Sequence, residues 1–485
     1  MAIRIAPILL TAMALATPAL TQTRPLSAID WLSDSIETPF PGEPPVADSA
    51  LPAPVVVQPL GVAPPDGVGL LSPSDAGVPQ DLWQGADLEA VSAALAGVSV
   101  PGPRPLQEVL HDLLTVESAP PEGSDGQAMF YARLDALMAL GRLGAARDLL
   151  RQAEIETPPA FRRWFDIALL TGAENAACAR LRELPEITPT YDVRIFCLAR
   201  GGDWPAAYVT MELAGALDVT GPAQTQRLRR FLDDFAEGPA LPPPQQPSPL
   251  DMALLNAVGE PLSTTRLPLA YAHADLRPIT GWKMRIDAAE RLARAGAIPP
   301  ERLWEVYGEQ RPSASGDPWD RVAAVEAFRT ALGAGPDAVA AALPQAWEAM
   351  RAADLHQVFA AAFGADLADM ELTGDAAELA HRVVLLSPAR ESAPGDGFAA
   401  RLARDNLSGS AGTTPVEQAI AAGLSVPADP GGAPGLAILR AISKLNEGAD
   451  GNLDALRDGL ALLSGLGMRE TAIATALSIL AGDRA

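Results

Sequence analysis

Three times in succession the chain sets a glycine five residues ahead of a small alanine, with leucines at helical spacing around the pair. In residues 130–158 the pair is Gly141 and Ala146, in 161–184 it is Gly172 and Ala177, and in 191–214 it is Gly202 and Ala207. Leu134, Leu137 and Met138 share a helical face before the first glycine, and Leu149, Leu150 and Ala153 continue the seam after it. Each unit reads as two helices joined by a turn. The glycine permits the reversal, and the alanine lets the two helices approach closely. A closing hairpin over residues 453–480 repeats the arrangement with Gly467 and Ala472.

The remainder is helical too. Leu88, Val91 and Leu95, then Leu106, Val109, Leu110 and Leu113, predict two helices split by residues 101–105. After the proline-rich stretch 241–249, the stripe Met284, Ala288, Leu292 and Ala295 opens a second helical region. Further helices are expected at 300–307, 319–332, 336–350, 355–363 and 376–386, and one at 415–422 inside a Gly/Pro/Ser-rich stretch spanning 394–435. No segment alternates as a strand would, so the expected class is all-α. The organisation divides into 82–240 as the repeat region, 250–390 as a second helical region and 391–485 as a connection ending in a hairpin.

The spacing Gly141, Ala146, Leu150, Ala153 and Pro158, with Phe130 near the leading aromatic position, resembles the tetratricopeptide (TPR) hairpin. The resemblance implies an α-solenoid of stacked hairpins, an architecture that presents a groove to a protein or peptide. Arg133, Arg162, Arg163 and Arg194 are the candidate groove residues, suited to acidic or carboxylate-bearing partners; solvated helix faces account for the same arginines. A second, weaker resemblance rests on about residues 281–308, where the segment AAERLARAGAIPPERLWEVY looks like the ring-forming helical part of soluble lytic transglycosylases. Those enzymes carry a separate catalytic domain with an acid Glu followed by Ser. Glu117-Ser118 and Glu391-Ser392 stand near prolines in expected loops, outside such a context, so this resemblance implies the non-catalytic part alone.

The chain's start sets an expected compartment. A short basic segment ending at Arg4 precedes the apolar run 5–15, and small residues follow, with cleavage expected after Ala19 or Thr21. Residues 1–21 therefore read as a signal peptide, giving a periplasmic or secreted protein. The run is shorter than the ~20 residues a membrane span requires, and no later stretch supplies one, so no transmembrane anchor is expected after cleavage. Residues 22–81 read as a short amphipathic helix on a proline-rich, poorly ordered tether. Ile29, Leu32 and Ile36 share a face of that helix and Trp31 stands beside it, making these four the candidate partner-docking residues. Docking on a partner and folding back on the chain's own body are both open.

Composition excludes some functions. With 36 basic and 60 acidic side chains the formal charge is −24, which argues against nucleic acid, whose binding needs a basic footprint. The two cysteines, Cys178 and Cys197, fall on helices expected to be neighbours, so an oxidising compartment favours a structural disulfide over two buried thiols. Glu108 with His111 and Glu378 with His381 have the i, i+3 spacing of metal-binding bundles, but such a site also needs two further glutamates and the convergence of distant helices, and solvated helix faces account for both pairs. Asp450, Asn452 and Asp454 begin like a calcium loop, whose required glycine and closing glutamate are replaced by Ala455 and Ala461. No nucleophile elbow, phosphate loop or zinc-protease motif occurs. The expectation is a non-enzymatic scaffold, without catalytic residues, metal or cofactor, binding a protein or peptide of the cell envelope. The alternative is a subunit of an envelope enzyme or a cell-wall-associated factor.

Overall fold

The four glycine turns follow from backbone sterics. Gly141, Gly172, Gly202 and Gly467 have φ between +72° and +86°, a region L side chains rarely enter. Ala146, Ala177, Ala207 and Ala472, five residues on, are each fully buried. The computed structural model describes residues 65–481, apart from 189, 234–241, 243 and 408–411. The expected signal peptide, the docking residues Ile29, Trp31, Leu32 and Ile36, and most of the proline-rich stretch lie outside the described residues.

The described residues contain 22 α-helices and no strand. The chain runs through α1 (Leu88–Ala96) and α2 (Arg104–Thr115) into three hairpins. These are α3 (Ala128–Ala139) with α4 (Leu143–Ala153), α5 (Pro158–Thr171) with α6 (Glu174–Glu183), and α7 (Tyr191–Arg200) with α8 (Trp204–Ala216). After α9 (Pro222–Leu232) and α10 (Pro249–Ala257) come α11 (Ala272–Asp275), α12 (Trp282–Arg294), α13 (Pro300–Tyr307) and α14 (Trp319–Leu332). Next are α15 (Pro336–Ala352), α16 (His356–Ala368), α17 (Gly374–Leu385) and α18 (Phe398–Ala403). The end consists of α19 (Pro415–Ser425), α20 (Pro434–Ala449), α21 (Leu453–Gly465) and α22 (Arg469–Ala481). Many of the prolines start helices: those at 158, 249, 300, 336, 415 and 434 occupy the first helical position, where no N–H is needed. Capping boxes, Ser248 with Asp251 and Thr414 with Glu417, begin α10 and α19.

From α3 to α9 each helix packs against the next. Two apolar cores result, and α5 belongs to both. Its Phe161, Phe165 and Leu169 join Phe196, Met211, Leu228 and Leu254, while its Ile167 and Leu170 join the larger core running from Val78 to Leu477. Leu250 and Leu254 of α10 share the smaller core with α5–α9, so packing continues across the proline-rich stretch expected to separate two regions. Cys178 of α6 and Cys197 of α7 form a disulfide within this smaller core.

The two ends of the described chain meet. Helix α22 packs on α2, and α20 packs on both α1 and α2. Gly435 N–H donates to Leu82 O at 2.7 Å, Gly102 N–H to Asn446 Oδ1 at 3.1 Å, and Arg104 N–H to Gln357 Oε1 at 2.7 Å. A Cβ on Gly435 would lie 2.4 Å from the ring of Trp83, so the absent side chain is what admits the indole.

Two expectations are corrected here. Residues 65–81 are packed and do not belong to a loose tether: Asp66 is fully buried, its carboxylate accepts from Phe130 N–H at 2.7 Å and from Ser124 Oγ, and Val78 is buried as well. Their partners lie about fifty to sixty residues away, beyond the reach of local composition. Helix α20 is the longest element that the periodicity reading omits, beside the short α11 and α18. Its Ile438, Ala441, Ile442 and Leu445 share a buried face, but the Gly-Gly-Ala-Pro-Gly run into it reads locally as a breaker.

Candidate protein-binding surface

Helix α8 is apolar on two sides, which one buried face does not require. Its start is set by Asp203, whose side chain accepts from Ala206 N–H at 3.2 Å, and by Pro205 in the first turn. Its end comes at Leu217, before Asp218 in a left-handed conformation at φ +53°. Ala207, Met211 and Ala214 are fully buried against the body. On the other side Val209, Leu213 and Leu217 advance by four residues and are 57%, 57% and 67% exposed. Trp204, Tyr208 and Val219 are also exposed, so the patch extends beyond a single row. The Trp204 ring leans on Phe231 of α9, 6.0 Å between centroids.

Charges rim this surface. Arg229 pairs with Glu212 of α8 at 2.8 Å, Arg227 with Asp251 at 2.9 Å, and Arg230 with Glu260. The three arginines of α9 are therefore neutralised by acids. Asp203 and Asp218 remain at the two ends of the apolar row, and neither forms an ion pair among the described residues.

The four candidate groove arginines are not brought together as an open groove. Arg133 is 1% exposed, and its guanidinium donates to the carbonyls of Leu114 at 2.9 Å, Asp66 at 3.2 Å and Val116 at 3.2 Å. It faces no partner; it satisfies the end of α2 and anchors the segment that starts at residue 65. Arg163 of α5 forms a bidentate pair with Asp135 of α3, at 2.7 and 2.6 Å, and lies 4.6 Å from the centre of the Tyr131 ring. Arg194 donates twice to Thr188 O, at 3.2 and 2.7 Å. Arg162 is exposed on α5. Long-range partners thus claim Arg133 and Arg163, a local carbonyl claims Arg194, and Arg162 alone of the four is left exposed.

Where the hairpins meet, a cleft of about 700 Å³ opens between α4 and the α5–α6 unit, lined by Ile155, Phe161, Trp164, Arg147, Arg151 and Arg180. Its cations are paired with Asp148, Glu156 and Glu183. The sequence signal for it was Phe161 and Trp164 beside an arginine-rich helix.

Two of the residues weighed for chemistry, Ser118 and Asn452, make structural contacts. Burial, then the charge of Arg142, pushes His111 down to about 4. Burial, then Glu108, raises Asp112 to about 6. Ser118 Oγ accepts from the Trp83 indole at 3.2 Å, and Asn452 caps α21 by accepting from Ala455 N–H at 3.1 Å. Among the described residues no group of three or more His, Cys, Asp or Glu side chains is placed to hold a metal ion, and no helix is long and apolar enough to cross a membrane. Comparison with protein-family models, curated proteins and solved structures returns no match. The surface is read from its own chemistry.

Proposed function

We propose that this chain is an exported, non-enzymatic scaffold that binds a protein or peptide partner in the cell envelope, through TPR-like hairpins of which α7–α8 is the docking unit. The observation that carries the reading is the exposed row Val209, Leu213 and Leu217 beside Trp204 and Tyr208. Apolar side chains spaced singly over a surface are ordinary, whereas a contiguous patch of this length marks an interaction surface. The disulfide is compatible with an oxidising compartment, and the basic start followed by the apolar run 5–15 supports export.

The test is photocrosslinking in living cells from a benzoyl-phenylalanine placed at Leu213, with a second probe at Glu301, on α13, as a control. A discrete protein adduct formed from Leu213 and missing from Glu301 is expected. Absence of any protein adduct from Leu213, or the same adducts from both positions, would defeat the docking reading. N-terminal sequencing of the mature protein is expected to begin at residue 20 or 22; an intact Met1 in the envelope fraction would defeat the signal-peptide reading.

A further inference from the structure

We infer that the occupant of the α8 face is an amphipathic helix of another protein, with basic residues near both of its ends. The inference rests on the docking reading above and adds the chemistry of the partner.

The shape of the row selects a helix. Pro205, Val209, Leu213 and Leu217 follow one another at four-residue steps, which on an α-helix is a nearly straight ridge about 18 Å long. Trp204 and Tyr208 form a second ridge beside it, also four residues apart. Two adjacent i+4 ridges leave the groove into which the apolar seam of another helix packs. Strand addition is excluded because the backbone groups inside α8 are already bonded along the helix, so the face offers side chains alone.

The charges select the partner. Asp203 and Asp218 stand fifteen residues apart, about 22 Å along the axis, at either end of the row. The α9 cations Arg227, Arg229 and Arg230 are each matched by an acid, and Arg182, whose guanidinium reaches Gly201, still leaves the two aspartates in excess, so the rim carries net negative charge. A second copy of the chain fits poorly. Antiparallel pairing of two α8 helices would set Asp203 against Asp218 twice, parallel pairing would set each against itself, and each chain carries a formal charge of −24. Anionic lipid meets the same repulsion. A helix of about four turns, with an apolar seam and Lys or Arg some fifteen positions apart, satisfies both ridge and rim.

The mature full chain is tested with two fluorescent synthetic helices of about 18 residues, ~27 Å long, sharing leucine positions and differing only in Lys or Glu elsewhere. Fluorescence anisotropy is expected to show binding of the Leu/Lys probe alone. Leu213→Ser with Leu217→Ser is expected to weaken it roughly tenfold. Asp203→Asn with Asp218→Asn is expected to weaken it several-fold and to flatten its salt dependence. Asn keeps the helix cap at 203 and tolerates the left-handed backbone at 218, and both leucines are exposed, so circular dichroism melting is expected to match the parent for every variant. Equal binding of the Leu/Glu probe would overturn the basic-helix inference and leave the docking face standing. Leu/Lys binding indifferent to the serine substitutions would mean adventitious attraction to an acidic protein and overturn it as well. No binding of either probe would also overturn it, while the crosslink from Leu213 decides the docking face separately. A dimer in sedimentation equilibrium that Leu213→Asp dissolves would replace the partner helix by a second copy.

Discussion

Arg321 of α14 donates from Nε and Nη2 to the two carboxylate oxygens of Glu290 of α12, each at 2.8 Å, with both side chains nearly out of solvent. Tyr307 of α13 donates its hydroxyl to the same Oε1 at 2.7 Å. Three consecutive helices are therefore tied by one carboxylate, and burial followed by that carboxylate pushes the Tyr307 phenol well above its ordinary value. A buried ion pair contributes little over an apolar replacement, yet removing Glu290 leaves the largely buried Arg321 with only the solvent-exposed Asp317, at 2.6 Å, as its counter-charge. Glu290→Ala is expected to cost about 3–5 kcal/mol in urea denaturation, and Glu290→Leu combined with Arg321→Met to recover most of it. A double variant no more stable than Glu290→Ala would refute this account.

Gly141 and Gly202 occupy equivalent turns in different surroundings. At Gly141, φ +72°, a Cβ would lie 2.9 Å from Leu269 Cγ and 3.3 Å from Ala297 Cβ. At Gly202, φ +86°, nothing lies within 4 Å. Gly202→Ala is expected to cost only the backbone strain, about 1 kcal/mol, and Gly141→Ala that plus the displacement of Leu269, about 2–3 kcal/mol. Thermal melts of the two variants check the order, and equal losses would count against it.

The Cys178–Cys197 bridge closes a short loop, with a sequence separation of 19, between α6 and α7. Cys178→Ser with Cys197→Ser is expected to lower stability by about 3 kcal/mol in the chain-entropy account. The measurement is a pair of urea titrations of the parent, with and without reductant. If the reduced parent unfolds at the same midpoint as the oxidised one, the bridge contributes nothing.

Asp166 sets a pH dependence. Burial raises its carboxyl from 3.8 to about 6, against the opposing charges of Arg162 and Arg163. The folded state thus holds this proton more tightly than the unfolded one. The stabilisation it supplies is complete below about pH 4 and is lost as pH rises through about 6. At neutral pH the ionised Asp166 costs on the order of 2–3 kcal/mol. Asp166→Asn is expected to stabilise the protein at neutral pH by that order and to lose its advantage near pH 4. Denaturation midpoints at the two pH values measure it; an advantage that persists in acid would be inconsistent with this assignment.

Legibility varied with how local the governing interaction is. The hairpins were readable because Gly141 and Ala146 act within one turn, and α13–α17 because their apolar periods lie inside each helix, with initiating prolines for α13 and α15. The disulfide was readable because its two helices are successive in the chain. The α8 face went unread: Val209, Leu213 and Leu217 look like core residues, since periodicity cannot tell two apolar faces of one helix apart. Arg133 misled for the converse reason, because a cation in a helix reads as exposed unless its acceptors, here the carbonyls of Asp66, Leu114 and Val116, are known.

The sequence by itself determined that the chain is helical, where most of its helices turn, and which cysteines could join. Those outcomes depend on backbone sterics and spacing within some twenty residues. Only the tertiary structure decided that α20 and α22 return to pack on α2, that residues 65–81 belong to the body, and that one apolar face of α8 stays uncovered. Burial is a property of what lies opposite a residue. For Trp83 the residue opposite is Gly435, roughly 350 positions away, and for Leu213 it is solvent.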